Sequence, residues 1–472
     1  MSNETNNTDS RYEKRRKRHA RNRRISVILL LTFLIVLGVG IYFLVTSVDF
    51  NEIKTKIFHK NIVEETTSVS VDVSTQESEM LEKTLEELLG DEEEIVVPEE
   101  TPSPSPTPEA VDEEAVLEQR VNKKISEMSL EQKVAGLFII SPEQLTSVET
   151  VTLAGDGTKA SLEKKPVGGL IYDAKNIEND KQFAEMISNT SEYVTTETFL
   201  ILREGFGDKA VYSQAAGVSQ TRNARDIGFT INPYEAFTEA EIVASYLKQL
   251  KINMSIAVNN RTIPEDAAED EYTDRFSTDK DLCDKMAVHA VSAYEEIGVN
   301  VAMGMFTDCE ASNEDDYRKI DNLSMDDITN GVLQGYVDAA SEGLDAIIVG
   351  HGYAPNLSDG SMPASLTKEI LTNVIRMELG LDDIIVITDA LNVEDITSYY
   401  SSGEAAVRAL KSGADMIMLP EDYEEAFDEV IAAVETGVIS EERIDESLRR
   451  IYRVKMCEMT EDLPLAESED SK

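Results

Sequence analysis

IIVITDALN, residues Ile384–Asn392, opens with four consecutive aliphatic residues and then stops at Thr388 and Asp389. An aliphatic run with no polar alternation predicts a strand covered on both faces, as in parallel sheets. Its carboxyl end then carries an aspartate, at the place where α/β folds build their sites. Two readings of Asp389 follow. It caps the helix predicted after Asn392, as Asp often does, or it is a functional carboxylate.

Seven more runs of the same kind surround it. They are LFII (Leu137–Ile140), GGLIY (Gly168–Tyr172), LILR (Leu200–Arg203), INMSIAV (Ile252–Val258), VNVAMGMF (Val299–Phe306), AIIVGH (Ala346–His351) and MIMLP (Met416–Pro420). Amphipathic stretches such as DKDLCDKMAVHAVSAYEEIG, SMDDITNGVLQGYVDAASEG and GEAAVRALKSG lie between them. Gly298, Gly343 and Gly413 stand where helix-ending glycines belong. Eight strands alternating with helices over residues 116–459 predict an α/β fold of the (β/α)₈ TIM-type barrel class. A doubly wound open sheet is the competitor, because periodicity does not reveal closure. Glu441–Cys457 reads as a last amphipathic helix, and residues 460–472 as an acidic tail.

The amino-terminal part has a different texture. Residues 1–24 form a basic, cytoplasmic segment with nine Lys/Arg against three acids. The uncharged run Ile25–Val45 follows and is long enough to cross a hydrocarbon core of about 30 Å as a helix. It is longer than the apolar core of a signal peptide, the alternative, and no clean cleavage site follows it. The positive-inside rule keeps the amino terminus cytoplasmic and sends the rest outside, giving a single-pass plasma-membrane protein. Residues 46–115 are acidic, poor in aromatics and contain the alternating proline tract Pro102–Pro108, so they read as a disordered stalk.

Composition removes several classes of function. The net charge is −47, and without the basic segment the remainder carries −53. Such a surface disfavours nucleic acid and anionic lipid and favours neutral or cationic partners. The three cysteines lie far apart, and four histidines are too few for an imidazole metal site, so neither a disulfide framework nor a metal is expected. Phosphate-binding and dinucleotide motifs are absent, as is a nucleophile elbow. Tryptophan is absent, which argues against a broad aromatic sugar platform.

On a barrel, the strand ends converge and bring together Arg203, Glu204, His351 and Asp389. Here several segments resemble one family. MSLEQKVAGLFII, PVGGLIYDAKNI, REGFG, DRFS, IIVGHGYAPNLSDGSMPASLT, VITDALNVEDI and AVRALKSGADMIML follow one another in the order found in the catalytic barrel of family 3 glycoside hydrolases. The branch they resemble is the β-N-acetylhexosaminidases, and the resemblance spans Met128–Leu419. It implies a retaining hydrolase acting on β-linked N-acetylglucosamine in cell-wall or related glycans, without a cofactor. Asp389 would be the nucleophile, with Arg275, Glu204 and His351 contacting substrate.

The departures from that pattern are as specific as the matches. The family's Lys-His pair after strand five falls on Gly304 and Met305, and its Asp-x-His acid/base element falls on Asp315, Asp316 and Tyr317. Leu202 stands where a substrate-binding Asp is expected, and SIAVNNRT lacks the usual Pro and Asp. No histidine lies between His289 and His351. A phenol with a pKa near 10 is a poor base, so carboxyls on the same loop, Asp308, Glu310, Glu314 and above all Asp315 and Asp316, become the candidate substitutes for acid/base work. The alternative is a non-catalytic protein that binds a glycan or an envelope protein.

Overall fold

A computed structural model describes residues 113–457 apart from 195–197, 219–220, 266, 269, 307–310, 314–315 and 320–321, with backbone alone at 113, 305, 311–313 and 316–319. The basic segment, the apolar run Ile25–Val45, almost all of the stalk and the tail lie outside the described residues. Among the described residues no helix is long and apolar enough to cross a membrane.

The eight apolar runs become eight parallel strands. They are β1 (Phe138–Ile140), β2 (Gly169–Tyr172), β3 (Phe199–Leu202), β4 (Met254–Val258) and β5 (Asn300–Phe306). A two-stranded antiparallel hairpin, β6 (Ala311–Asn313) and β7 (Asp316–Lys319), follows β5. The barrel continues with β8 (Ala346–Val349), β9 (Ile385–Thr388) and β10 (Ile417–Met418). Every residue of β2, β3, β8 and β9 is buried, as expected for strands packed on both sides.

The sheet order is β10-β1-β2-β3-β4-β5-β8-β9. The first strand pairs with the last, Phe138 opposite Ile417, which a doubly wound sheet does not do. What remains is the seam between β9 and β10. It is closed by the parallel bridge Ile387–Met416, by the Thr388 amide donating to the Met416 carbonyl at 3.1 Å, and by the Met418 amide donating to Thr388 Oγ1 at 3.1 Å. The result is a nearly continuous eight-stranded barrel of (β/α)₈ type.

Helices cover the outside. Lys280–Ile297 shows why they form: Cys283, Met286, Ala287, Ala290, Val291 and Tyr294 repeat at three- and four-residue spacing and are buried. Asp279 caps its start through the Leu282 amide, and Gly298, at φ 82°, ends it. The single helix expected over Ser324–Gly343 is instead two, Met325–Thr329 and Gln334–Ser341. The chain breaks at Asn330-Gly331, where Gly331 takes φ 86°. Gly168 explains one sequence motif: a Cβ there would come within 2.0 Å of the Gly136 carbonyl oxygen.

Polar residues at the amino ends of three strands fix the stagger. Asn253 Oδ1 accepts from the Leu200 amide at 2.7 Å, Asp345 Oδ2 from Val301 at 2.9 Å, and Asp415 Oδ2 from Val386 at 3.0 Å. Each side chain reaches the neighbouring strand that precedes it in the ring. Asp415 is also fully buried among arginines. Arg376 Nη2 donates at 2.6 Å and Arg450 Nη1 at 3.0 Å, the Ser447 hydroxyl donates at 2.7 Å, and Arg443 lies 3.8 Å away. Burial alone would raise this carboxyl, but attraction to Arg376, Arg450 and Arg443 outweighs it and holds the group below the ordinary carboxylate range.

Asp415→Ala leaves these guanidiniums without their counter-charge and should cost about 3–5 kcal/mol in urea unfolding. A loss under about 1 kcal/mol would show that the cluster stabilises little. Because the folded carboxyl titrates below its unfolded value of about 3.9, its contribution is complete above that pH and drains away as pH falls through the folded value. Asp415→Asn should lack that part of the acid sensitivity.

Candidate active site

Asp389 sits one residue beyond β9, and its amide donates to the Val349 carbonyl at 2.8 Å, extending the ladder to the barrel mouth. Its side chain is 18% exposed. The next helix does not begin until Glu394, its cap position is Val393, and no side chain caps it. The capping reading of Asp389 therefore falls.

Arg203 lies one residue beyond β3. Its Nη2 is 3.7 Å from Asp389 Oδ1, a charge contact longer than a hydrogen bond. From sequence, Arg203 is placed at a strand end without a role. The available signal was its position on a barrel strand, since pairing across the mouth is not visible in local pattern.

His351 follows β8 and is buried. Nε2 lies 2.9 Å from the Ala390 carbonyl and Nδ1 2.8 Å from Ser365 Oγ. A carbonyl only accepts, so Nε2 donates, and in a neutral ring the Ser365 hydroxyl donates to Nδ1. Both ring nitrogens are thus engaged inside the protein. The imidazole ties the segment around Ser365 to Ala390, the neighbour of Asp389.

Glu204 is wholly buried. Its carboxylate accepts from the Tyr212 amide at 2.6 Å, the Ser213 amide at 3.2 Å and the Tyr246 hydroxyl. Burial raises its pKa, opposed by Tyr246 and by the amides of Tyr212, Ser213 and Val211. The geometry makes it the anchor of the loop that carries Arg203.

Arg275 is buried on the loop after β4. Its guanidinium lies 4.4 Å from the Tyr272 ring centroid, and Nη1 donates to the Thr262 carbonyl at 2.8 Å. The loops after β3 and β4 are joined: the Thr273 hydroxyl donates to Asp208 at 2.9 Å, and Gly228 lies so close under Phe276 that a Cβ would meet its carbonyl oxygen at 1.5 Å. Asn259 Nδ2 holds Asp274 at 3.0 Å. Of the remaining site expectations, Asp308, Glu310, Glu314 and Asp315 lie outside the described residues. Asp316 is placed only as backbone, opposite Asn313 in the hairpin after β5. Among the described residues no group of His, Cys, Asp and Glu is arranged to hold a metal ion.

The mouth of the parallel barrel thus carries a partly exposed carboxylate at a strand end, with Arg203 beside it and His351 bonded to the next residue, Ala390. Residues 123–454 match the glycosyl hydrolase family 3 N terminal domain, and the chain belongs to that family. It is 27% identical over 311 residues to an uncharacterized secreted glycosyl hydrolase of Arthroderma benhamiae, covering 61% of this chain and 84% of that protein. It is 22% identical over 329 residues to β-hexosaminidase A of Pseudoalteromonas piscicida, covering 62% of this chain and 54% of that protein. A family 3 β-N-acetylglucosaminidase from Paenibacillus superposes with a TM-score of 0.62 at 24% identity, over 73% of this chain and 65% of that one. The chain therefore spans only about half of the Pseudoalteromonas protein.

Replacing His351 with Ala strands the Ser365 hydroxyl and the Ala390 carbonyl and should cost about 1–3 kcal/mol. Unchanged stability in denaturant melts would remove the brace. For Glu204 the readout is a slope. A carboxyl raised by folding stabilises below its unfolded pKa of about 4.3, and that contribution disappears as pH rises through the folded value. The stability of the native chain relative to Glu204→Gln should accordingly fall as pH rises above about 4.3 and through the raised folded value; a flat difference would contradict the raised pKa.

Proposed function

We propose that the chain is a glycoside hydrolase of the β-N-acetylhexosaminidase type, acting on β-linked N-acetylglucosamine in cell-wall or related glycans with Asp389 as nucleophile. The observation that carries this reading is the placement of Asp389 on the carboxyl end of β9, partly exposed and not used as a helix cap. The family match and the names of the relatives support the substrate class.

In the first step the Asp389 carboxylate attacks the anomeric carbon. The glycosidic C–O bond breaks, and the leaving oxygen takes a proton from a general acid. Water then attacks the same carbon, gives up a proton, and releases the sugar and the free carboxylate with retained configuration. Asp315 and Asp316, in the segment after β5, are the proposed acid/base groups, because burial can raise a carboxyl into the range where it donates. His351 holds Ala390, and through it the direction of Asp389.

The site works outside the cytoplasm, on a stalk anchored by Ile25–Val45. The basic block before that span supports this placement, as does a relative described as secreted. One observation favours a second reading, a glycan- or protein-binding protein of the envelope without turnover. Gly304 and Met305 replace a Lys-His pair, and no histidine lies between His289 and His351.

An aryl N-acetylglucosaminide with an activated leaving group hardly needs acid assistance and separates the two. The full-length chain should hydrolyse it, the first product seen by NMR should be the β-anomer, and Asp389→Ala should lower turnover by at least about 10³-fold. Equal background from both proteins would end the nucleophile assignment.

A further inference from the structure

Arg203 is the charged group at the mouth that the hydrolysis scheme leaves unused. Its side chain is 52% exposed, and its one close charge among the described residues is Asp389 at 3.7 Å. Arginines elsewhere in the barrel are committed: Arg222 Nε holds Glu239 at 2.7 Å and Arg376 holds Asp415 at 2.6 Å. Among the described residues no acceptor lies within hydrogen-bond reach of the Arg203 guanidinium, and the side chain stays half exposed.

The loop that presents Arg203 is built to keep it there. The adjacent Glu204 is buried and fastened to the amides of Tyr212 and Ser213. On the other side, Leu202 is locked in β3 opposite Tyr172 and Ser255. The backbone on both sides is pinned while the side chain between remains accessible.

We propose that Arg203 is a specificity-determining residue that receives an anionic substituent, carboxylate or sulfate, on the sugar bound over Asp389. This rests on the glycosidase reading of Asp389. A guanidinium offers a planar fork that matches a carboxylate or sulfate in two parallel hydrogen bonds, whereas a hydroxyl offers it neither an opposite charge nor a pair of oxygens at that spacing. Its distance from the nucleophile places the recognised group on the sugar whose anomeric carbon is attacked. The chain's charge of −47 opposes anions at long range, but charges beyond about 8 Å are largely screened at physiological salt. The groups within contact distance therefore decide. Without Arg203, an acidic sugar would meet Asp389 with no compensating cation among the described residues within contact of it.

The test uses matched pairs on the full-length chain and on Arg203→Gln, with thermal melts to confirm that the exposed substitution leaves the fold intact. Glucuronic acid is compared with glucose, and N-acetylglucosamine 6-sulfate with N-acetylglucosamine, by ligand-observed NMR titration. At least one anionic member should bind about tenfold or more tightly than its neutral twin. That preference should shrink with added salt and vanish in Arg203→Gln. The two pairs distinguish carboxylate from sulfate. Equal binding of the twins, no binding by any of the four sugars, or a preference that survives in Arg203→Gln would overturn the assignment. If turnover of the aryl glycoside still depends on Asp389 in that case, only the role of Arg203 fails. If that dependence is missing too, the glycosidase reading fails with it.

Discussion

The buried carboxylate of Asp415 is the contact on which the geometry of the mouth depends. β9 and β10 share only a short stretch of ladder, so the seam between them needs another source of register. Asp415 supplies it by accepting from the Val386 amide on β9 while holding Arg376 and Arg450 from two packed helices. A buried ion cluster is weak evidence for net stability, since an apolar replacement of equal volume often does as well. Its link to register is direct, because the same carboxylate bonds the Val386 amide and the two arginines. Val386 lies three residues before Asp389. A slip of one residue would turn Asp389 to the other face of the strand.

The strands were legible from sequence because a parallel barrel buries both faces of each one, leaving continuous aliphatic runs with no alternation to misread. All eight runs formed strands in the expected order, and the glycines at 298, 343 and 413 all take positive φ. Closure was not legible, since β1 meets β10 across almost the whole domain and hydropathy carries no record of such distance. The hairpin after β5 and the break at Asn330-Gly331 were missed for other reasons. Residues 311–319 carry no apolar run to mark a strand, and at Asn330-Gly331 local turn chemistry overrode the apolar periodicity on which the reading relied.

The site was legible in position and less so in contact. Asp389, Arg203, Glu204 and His351 could all be placed at strand ends. Which way each side chain faces depends on partners far away in the chain: Tyr246 for Glu204, Ser365 for His351. The two groups that resemblance points toward substrate, Glu204 and His351, also have partners within the protein. They shape the mouth by holding its backbone, Glu204 beside Arg203 and His351 beside Asp389. A motif records that a residue is needed at a place, and the same motif serves whether the need is contact or bracing.

The same chemistry, an arginine against an aspartate, occurs at both ends of the β9–β10 seam with opposite consequences. At the amino end Arg376 and Asp415 meet at 2.6 Å, nearly or fully buried, with every lone pair of the carboxylate used. In that dry setting the pair is too costly to open, and it acts as structure. At the carboxyl end Arg203 and Asp389 stand 3.7 Å apart, and the arginine is half exposed. In water a contact of that length is worth on the order of 1 kcal/mol or less, so the two charges part at little cost. One end of the barrel fixes the register of the carboxylate; the other leaves it available. The difference lies in burial and distance alone, which is why the residue types by themselves did not separate the clamp from the site.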